Sequence, residues 1–290
     1  MTVPEGGAYP PRDVDLERPS VARVYDYFLG GSTNWAVDRE FGDRVLAEFP
    51  LARDMAVANR LFLHRLVRHL VVSRGVRQFV DIGSGVPTMG HAHQVADEVA
   101  PGAARVVYVD HDPVAVAHSR LLLEDHGDPE RHAAVQADLR DPDDLWRRVL
   151  ATGVIDTGQP IALLLIAVLH VQQPDPVTDR DIGPAVVARY RDLLPVGSYL
   201  ALSHVTDDGV PPDAHARLAR LKQLYDAAGN PVVWRSRAEI TALFGDFEVV
   251  DPGLVWTPLW HPENSSASAR TVTFASPNGS AVLAGVAVRR

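Results

Sequence analysis

The stretch "FVDIGSGVPT", residues 79–88, decides the fold of this 290-residue chain. A short apolar run reaches Asp81, and two glycines follow at positions 83 and 85. A buried strand that ends in a glycine turn is typical of the first strand–helix junction of an open α/β sheet. In such sheets, ligands bind at the carboxyl ends of the strands, near the point where the strand order reverses. We therefore expect the turn after this strand to hold a small ligand.

The chain around this stretch alternates between short apolar runs and helix-like segments. Such alternation predicts βαβ units and a mainly parallel sheet, and the lack of in/out alternation within the runs indicates that both faces are covered. Two late runs, "FEVVDPGLVW" and "AVLAGVAV", have no long helix between them and predict an antiparallel pair at the sheet edge. The strand-like runs before them are 77–83, 104–110, 133–138, 161–170 and 198–204.

The first quarter of the chain has a helical pattern. Pro19-Ser20 predicts a helix start before "VARVYDYFLGG", and Gly30-Gly31 should end that helix. A second helix is predicted between Asn34 and Pro50, and a third over roughly 54–74, where apolar residues recur at helical spacing. We divide the chain into a flexible tail over 1–18, a helical N-terminal cover over 19–75 and an α/β domain over 76–290.

Composition excludes several classes of function. The chain has no cysteine, which removes disulfides, thiolate metal sites and sulfur nucleophiles and fits a reducing compartment. Its net charge of −9 disfavours a nucleic-acid partner. The longest apolar run, "IALLLIAVL", is far too short for a bilayer span, and the N-terminus lacks an export signal. We therefore expect a cytoplasmic protein without a membrane partner.

Three kinds of ligand can be weighed for the glycine turn. A phosphate-binding P-loop needs a lysine that this turn does not contain. A dinucleotide fingerprint needs a third glycine, whereas this chain has Thr88 there and Pro87 inside the turn. A carboxylate at Asp81 would also repel a pyrophosphate in a poorly screened cleft. The same carboxylate suits a third ligand class, one with a positively charged end.

S-adenosylmethionine has such an end, because it carries an ammonium and a sulfonium and no phosphate. Its ribose hydroxyls need an acceptor at the end of the second strand, where Asp110 stands. Its adenine needs an acceptor and a backbone donor after the third strand, where Asp138 and Leu139 stand. Asp112 with Pro113 predicts the cap and first turn of the helix that follows. The alternative is that Asp81, Asp110 and Asp138 only cap helices.

At this point the chain resembles the class I S-adenosylmethionine-dependent methyltransferases, through "DIGSG", Asp110, Asp138-Leu139 and "LLPVGSYLALSH". It resembles more closely a mainly actinobacterial family of S-adenosyl methyltransferases, through "RVYDYFLGG", "FVDIGSGVPT", "YVDHDP", "ADLRDP" and "VLH". The resemblance covers nearly all of residues 18–290 and departs from the wider class at Pro87, where a third glycine is usual. It implies a doubly wound, mainly parallel, seven-stranded sheet of the Rossmann-like methyltransferase fold, with S-adenosyl-L-methionine as cofactor.

The cofactor site expected on these grounds lies on the tips of neighbouring strands. It includes residues within the glycine turn, at the ends of the second and third strands and just after the fourth. The cofactor-binding residues that we predict are Asp81, Gly83, Ser84, Gly85, Asp110, His111, Asp138, Leu139 and Ala167.

Candidate groups for the methyl acceptor come from strand ends and from the cover. Alignment for in-line transfer is worth up to about 7–11 kcal/mol, and a base adds about 10²–10⁴-fold when the acceptor has a proton to lose. His170 is the predicted base or acceptor-orienting group; alternatively, it is a hydrogen-bonded histidine that closes the fourth strand. His204, at the end of the fifth strand, is a weaker candidate. No metal is expected, because His91 and His93 have no evident third ligand.

The segment "VYDYFLGGSTN" combines polar aromatic residues with a double glycine. One hypothesis is that it folds over the cofactor as a lid, so that Tyr25, Tyr27 and Asn34 shape the acceptor pocket. The alternative is an amphipathic helix whose tyrosines pack on the sheet.

We thus predict an S-adenosylmethionine-dependent methyltransferase that acts on a small-molecule acceptor and not on nucleic acid. The missing cysteine excludes cytosine C5 methylation through a thiolate adduct. Two alternatives stay open: a non-catalytic, regulatory S-adenosylmethionine-binding protein, and a nicotinamide-dependent oxidoreductase, which Asp81 and the missing third glycine disfavour. The sequence does not indicate the methyl acceptor or the oligomeric state.

Overall fold

The structure is a computed structural model that describes residues 15, 17–86, 88–266 and 269–290. The predicted tail over residues 1–18 therefore lies almost entirely outside the described residues, and so does Pro87.

Within the described residues the chain forms nine α-helices and eight β-strands. None of the helices in this part of the chain is long and apolar enough to cross a membrane. The helices are α1 (Val21–Leu29), α2 (Ala36–Glu48), α3 (Ala52–Arg74), α4 (Ala92–Val99), α5 (Pro113–His126), α6 (Pro142–Ala151), α7 (Gly183–Leu193), α8 (Pro212–Ala227) and α9 (Arg237–Ala242). The strands are β1 (Gln78–Ile82), β2 (Arg105–Asp110), β3 (His132–Gln136), β4 (Ala162–Ile166), β5 (Tyr199–Val205), β6 (Glu248–Val249), β7 (Val255–Trp256) and β8 (Val282–Val288).

The strands form one mixed sheet in the order β3-β2-β1-β4-β5-β8-β6, and β7 pairs with β8 beside that path. Strands β1 to β5 are parallel, whereas β8 runs antiparallel to β5, β6 and β7. The predicted doubly wound, mainly parallel sheet with an antiparallel pair at its edge is confirmed. The described residues form eight strands instead of seven, because β8 pairs with two short strands. The strand order reverses between β1 and β4, which is where such sheets bind ligands.

Two helical layers cover the sheet. On one face, Val80, Val107 and Leu163 pack into the same apolar core as residues of α6, α7 and α9. On the other face, Phe79 and Val106 share a core with residues of α3 and α4. Burial on both faces explains why the strand sequences are continuously apolar.

The three N-terminal helices form where the sequence predicts them. α1 ends at Gly30, which has a φ of +82° and lets the chain leave the helix in the left-handed conformation. α3 belongs to the sheet core as well as to the cover, because Phe62 and Leu66 are buried beside Phe79. The boundary at residue 75, between the helical cover and the α/β domain, therefore stays a prediction from the sequence pattern.

Strand β4 ends earlier than predicted. It stops at Ile166, four residues before His170, because Ala167 adopts a left-handed φ of +57° that cannot continue a strand. The backbone N–H of Ala167 donates to the hydroxyl of Ser203 at 2.9 Å. His170 therefore lies in a turn beyond the sheet and does not close the strand.

Candidate functional site

A cavity of about 660 Å³ opens at the carboxyl ends of the parallel strands, at the point where the strand order reverses. This volume lies within the range of roughly 300–1,000 Å³ that small-molecule sites occupy. The tips of β1 to β4 form one wall, and helices α1, α3 and α8 close the others. The nine predicted cofactor-binding residues all line this cavity: Asp81, Gly83, Ser84, Gly85, Asp110, His111, Asp138, Leu139 and Ala167.

The two glycines of the turn have different structural roles. Both adopt left-handed φ values, +69° at Gly83 and +65° at Gly85. A Cβ on Gly83 would lie 2.6 Å from Cγ2 of Val168, so this glycine permits close contact between the turn and the segment after β4. A Cβ on Gly85 would have no atom within 4 Å. Gly85 therefore leaves open space along the cavity wall, where a ligand can approach the backbone.

The carboxylate of Asp110 braces the glycine turn. Its Oδ2 accepts a hydrogen bond from the N–H of Gly85 at 2.8 Å, and its Oδ1 accepts one from the N–H of Asp112 at 2.9 Å. Burial raises the pKa of Asp110, and these hydrogen bonds counteract the rise. Since a carboxylate offers about four acceptor sites, it can still accept hydrogen bonds from ligand hydroxyls.

The alternative in which the three aspartates only cap helices does not hold. The residues at the N-caps of α4, α5 and α6 are His91, Asp112 and Asp141. Asp112 was predicted as a cap, and its Oδ1 accepts from the N–H of Val114 at 2.8 Å. Asp81, Asp110 and Asp138 occupy other positions, so their carboxylates need a different explanation.

Asp81 has the most perturbed environment of the three aspartates. It is only 4% exposed, and burial raises its pKa to about 7, although the nearby Arg60 lowers it and Asp110 raises it further. With a pKa near neutrality, the carboxyl of Asp81 is partly protonated around pH 7. A cation beside it would restore its full charge.

Asp138 is more exposed and is already paired. Its carboxylate accepts hydrogen bonds from Arg140, with Nη2 to Oδ2 at 2.6 Å. Partial burial tends to raise the pKa of Asp138, but the hydrogen bonds from Arg140 hold it below its usual value. Leu139 is buried beside it. A ligand amino group at Asp138 would share the carboxylate with Arg140, a partner that the sequence pattern does not indicate.

His170 lines the cavity as a neutral side chain with unused hydrogen-bonding capacity. Burial and the nearby Arg235 lower its pKa to about 4. Its Nδ1 is buried without a hydrogen-bond partner among the described residues. Buried polar atoms are usually paired, so an unpaired nitrogen at a cavity wall marks a place for a ligand group. The alternative of a hydrogen-bonded histidine that closes the strand does not describe this arrangement.

Of the residues predicted for the acceptor, Tyr25 lines the cavity. Its hydroxyl donates to the carbonyl of Ala56 at 3.0 Å and accepts from the amide of Asn59 at 3.0 Å. These bonds fix the tyrosine ring against α3.

Tyr27 and Asn34 do not reach the cavity, which corrects the expectation for both. Tyr27 follows Tyr25 by two residues and so points to the opposite side of the helix, where its hydroxyl donates to Asp43 at 2.6 Å. Asn34 donates to Asp26 at 2.7 Å, and Asp26 also accepts a hydrogen bond from Thr88. Asn34 thus helps to tie the end of α1 to the glycine turn.

His204 is also absent from the cavity wall. It is fully buried within β5, and both ring nitrogens are hydrogen-bonded. Its Nε2 accepts from Arg235 at 2.7 Å, so its Nδ1 carries the proton and donates to the carbonyl of Val205 at 2.6 Å. We therefore leave His204 out of the acceptor site that we propose.

Arg60 is a cavity residue that the sequence pattern does not indicate. It projects from α3, and its Nε and Nη2 donate to the carbonyls of Met89 and Gly90 at 2.6 and 2.7 Å. These bonds hold a cation close enough to lower the pKa of Asp81. An acid and a guanidinium that line the same cavity suit a ligand end that carries both an amino group and a carboxylate. No local signal in the sequence distinguishes Arg60 from the other arginines of α3.

Comparisons with known proteins agree on one family. A family model described as S-adenosyl methyltransferase matches residues 7–290. A crystal structure from Thermobifida fusca YX, provisionally described as a methyltransferase, superposes with a TM-score of 0.81 at 36% identity and covers 98% of this chain and 100% of that chain. A DUF574 family protein from Streptomyces avermitilis MA-4680 superposes with a TM-score of 0.83 at 35% identity, covering 94% and 98%. No curated protein sequence matches the chain.

Proposed function

Because the chain belongs to the S-adenosyl methyltransferase family, we propose that its cavity transfers a methyl group from S-adenosylmethionine to a small molecule. Membership makes the chain an S-adenosylmethionine-dependent methyltransferase with that cofactor. The acceptor and the roles of individual residues are the proposed part. The observation that carries the proposal is the buried carboxyl of Asp81 at the strand tips.

The residues of the strand tips fit the cofactor chemically. Asp81 and Arg60 offer opposite charges to the ammonium and the carboxylate of its amino-acid end. Asp110 keeps acceptor capacity for the ribose hydroxyls, and Asp138 with Leu139 would contact the adenine. The open space at Gly85 lets the ligand approach the backbone closely.

When bound, S-adenosylmethionine supplies a methyl group on positively charged sulfur. His170 is neutral at neutral pH, so its imidazole can accept a hydrogen bond from an acceptor that has a proton to lose. The proton would then pass to His170 and from there to solvent. Tyr25 and Asn59 hold the covering helices in place and help to exclude water from the cavity.

Cofactor binding should release a proton near pH 7. The pKa of Asp81 is about 7, and a bound cation lowers it, so the complex holds fewer protons than the free protein. Affinity for S-adenosylmethionine should therefore strengthen as pH rises through 7, by up to about tenfold per pH unit on the acid side. Calorimetry in buffers of different ionisation enthalpy measures the release directly. Asp81→Asn should abolish it, and an affinity of the unmodified protein that does not change between pH 6 and 8 would contradict this role.

Replacement of His170 should reduce turnover and spare cofactor binding. With an acceptor in hand, His170→Phe should lower kcat by about 10²–10⁴-fold if the acceptor loses a proton. Its Kd for S-adenosylmethionine should stay within about twofold of the original. At saturating cofactor, kcat should not fall between pH 8 and 5.5, because the pKa of His170 is about 4. A fall in kcat centred near pH 6.5 would point to a different base.

A labelled-methyl screen tests the proposed function as a whole. The purified protein is incubated with methyl-labelled S-adenosylmethionine and fractionated metabolite extract. We expect label in a small-molecule product, together with S-adenosylhomocysteine. Tight cofactor binding without product from any fraction would favour the non-catalytic alternative, and tight NADH binding without S-adenosylmethionine binding would favour the oxidoreductase.

A further inference from the structure

The cavity has a second wall whose chemistry differs from that of the strand tips. This distal wall consists of cavity-lining residues that belong to one apolar cluster between the covering helices and α8. None of them is charged. They include Phe28, Met55, Leu221, Tyr225 and Trp234. His170 lies next to Trp234, with 6.4 Å between the ring centroids.

Several charged groups of the cavity lie at the strand tips or near them and interact with one another. Arg140 is hydrogen-bonded to Asp138 at 2.6 Å, and Arg23 lies 3.9 Å from Asp112. Arg60 acts on Asp81. The distal wall therefore has no side-chain charge of its own to balance an ionised group on a ligand.

Polar groups on the distal wall are few and neutral. The indole N–H of Trp234 donates to the carbonyl of Leu218 at 3.1 Å, so Trp234 offers only its ring surface to the cavity. The ring of Tyr225 packs edge-on against Phe41 at 5.0 Å. The hydroxyl of Tyr225 has no hydrogen-bond partner among the described residues, and burial raises its pKa, which keeps it protonated.

These features together select for one class of ligand. A buried ionised group is strongly disfavoured unless it is paired, so a charged acceptor would be penalised on this wall. Aromatic rings gain from contact with the faces and edges of other rings, and Phe28, Tyr225 and Trp234 offer both. The unpaired groups of Tyr225 and His170 can each serve one polar substituent.

We propose that the methyl acceptor is an uncharged, ring-bearing small molecule that packs against Phe28 and Trp234 and directs its polar substituents to His170 and Tyr225. This inference rests on the proposed function, because it assigns the cofactor to the strand tips and the acceptor to the distal wall. It excludes ionised acceptors such as free amino acids and nucleotides.

The test uses four probes that share a ring system. Three differ in charge: 2-naphthol, 2-naphthoate and 2-naphthylmethylammonium. The fourth, 2-methylnaphthalene, is neutral and has no polar substituent. The protein is first saturated with S-adenosylhomocysteine, and each probe is then titrated by calorimetry. We expect 2-naphthol to bind at least about tenfold more tightly than either ion, because the ions meet no counter-charge. Tyr225→Phe should weaken 2-naphthol by about fivefold, the loss of one hydrogen bond, and leave 2-methylnaphthalene unchanged.

Each outcome separates the inference from the proposed function. If an ion binds as tightly as 2-naphthol, or if none of the probes binds to the loaded protein, the assignment of the distal wall is overturned while cofactor binding stands. If Tyr225→Phe affects both neutral probes equally, the hydroxyl has no recognition role. If S-adenosylhomocysteine itself does not bind, the proposed function fails before the acceptor is at issue.

Discussion

Asp81→Asn is expected to weaken S-adenosylmethionine binding by about 100-fold or more and to leave the fold intact. The carboxylate is 4% exposed, and removal of one member of a buried charge pair costs about 3–5 kcal/mol. Calorimetry at pH 8.5, where Asp81 is mostly ionised, gives the full effect. The midpoint of thermal unfolding, measured without cofactor, should not fall, because the substitution removes a carboxyl that burial disfavours in its charged form.

Asp138→Asn is the matched control, because it makes the same chemical change on a neighbouring strand tip. Its side chain is 42% exposed and already paired with Arg140, so we expect less than about a tenfold loss of affinity. Equal losses in the two variants would show that burial of Asp81 has no special part in binding.

Gly83→Ala is expected to lower the free energy of unfolding by about 2–5 kcal/mol. The new Cβ would lie 2.6 Å from Cγ2 of Val168, and the left-handed φ of +69° adds its own cost for a residue with a side chain. Equilibrium denaturation measures the loss. Val168→Ala in the same background should recover part of it, because it removes the methyl group that the new Cβ meets.

Compared with Gly83→Ala, Gly85→Ala should lose less stability and more affinity for the cofactor. Its Cβ would enter open space, so the free energy of unfolding should fall by only about 1–2 kcal/mol, the cost of the left-handed conformation. The same methyl group would occupy the cavity wall, and cofactor affinity should fall more than in Gly83→Ala variants that remain folded. A larger loss of stability in Gly85→Ala than in Gly83→Ala would contradict these separate roles.

The fold could be predicted from the sequence because its signals are local. Apolar runs that alternate with helical segments specify a parallel sheet. Gly30 ends α1 through a left-handed conformation that glycine favours, and Asp112 starts α5 through a side chain that accepts a hydrogen bond from the N–H of Val114. The end of β4 could not be predicted, because Ala167 adopts a left-handed conformation that alanine rarely takes. Strain of this kind costs about 1–3 kcal/mol and requires support from the surrounding structure, here from Ser203.

The sequence predicts the position of a site residue only where the direction of the strands determines it. Residues at the ends of parallel strands meet at one edge of the sheet, so Asp81, Asp110 and Asp138 were placed correctly at the cavity. The charged and hydrogen-bonding neighbours of the site residues are distant in the sequence, and the spacing of residues along the chain does not reveal them. Arg60 reaches the cavity from α3. Arg235, 31 residues after His204 in the sequence, donates a hydrogen bond to Nε2 of that histidine.

A crystal structure of the protein with S-adenosylhomocysteine tests the central claim most directly. The account predicts that the amino group of the ligand lies at Asp81, its carboxylate at Arg60 and its ribose hydroxyls at Asp110, with the distal wall free. A ligand whose ribose contacts neither oxygen of Asp110, or whose amino-acid end lies away from Asp81, would contradict it.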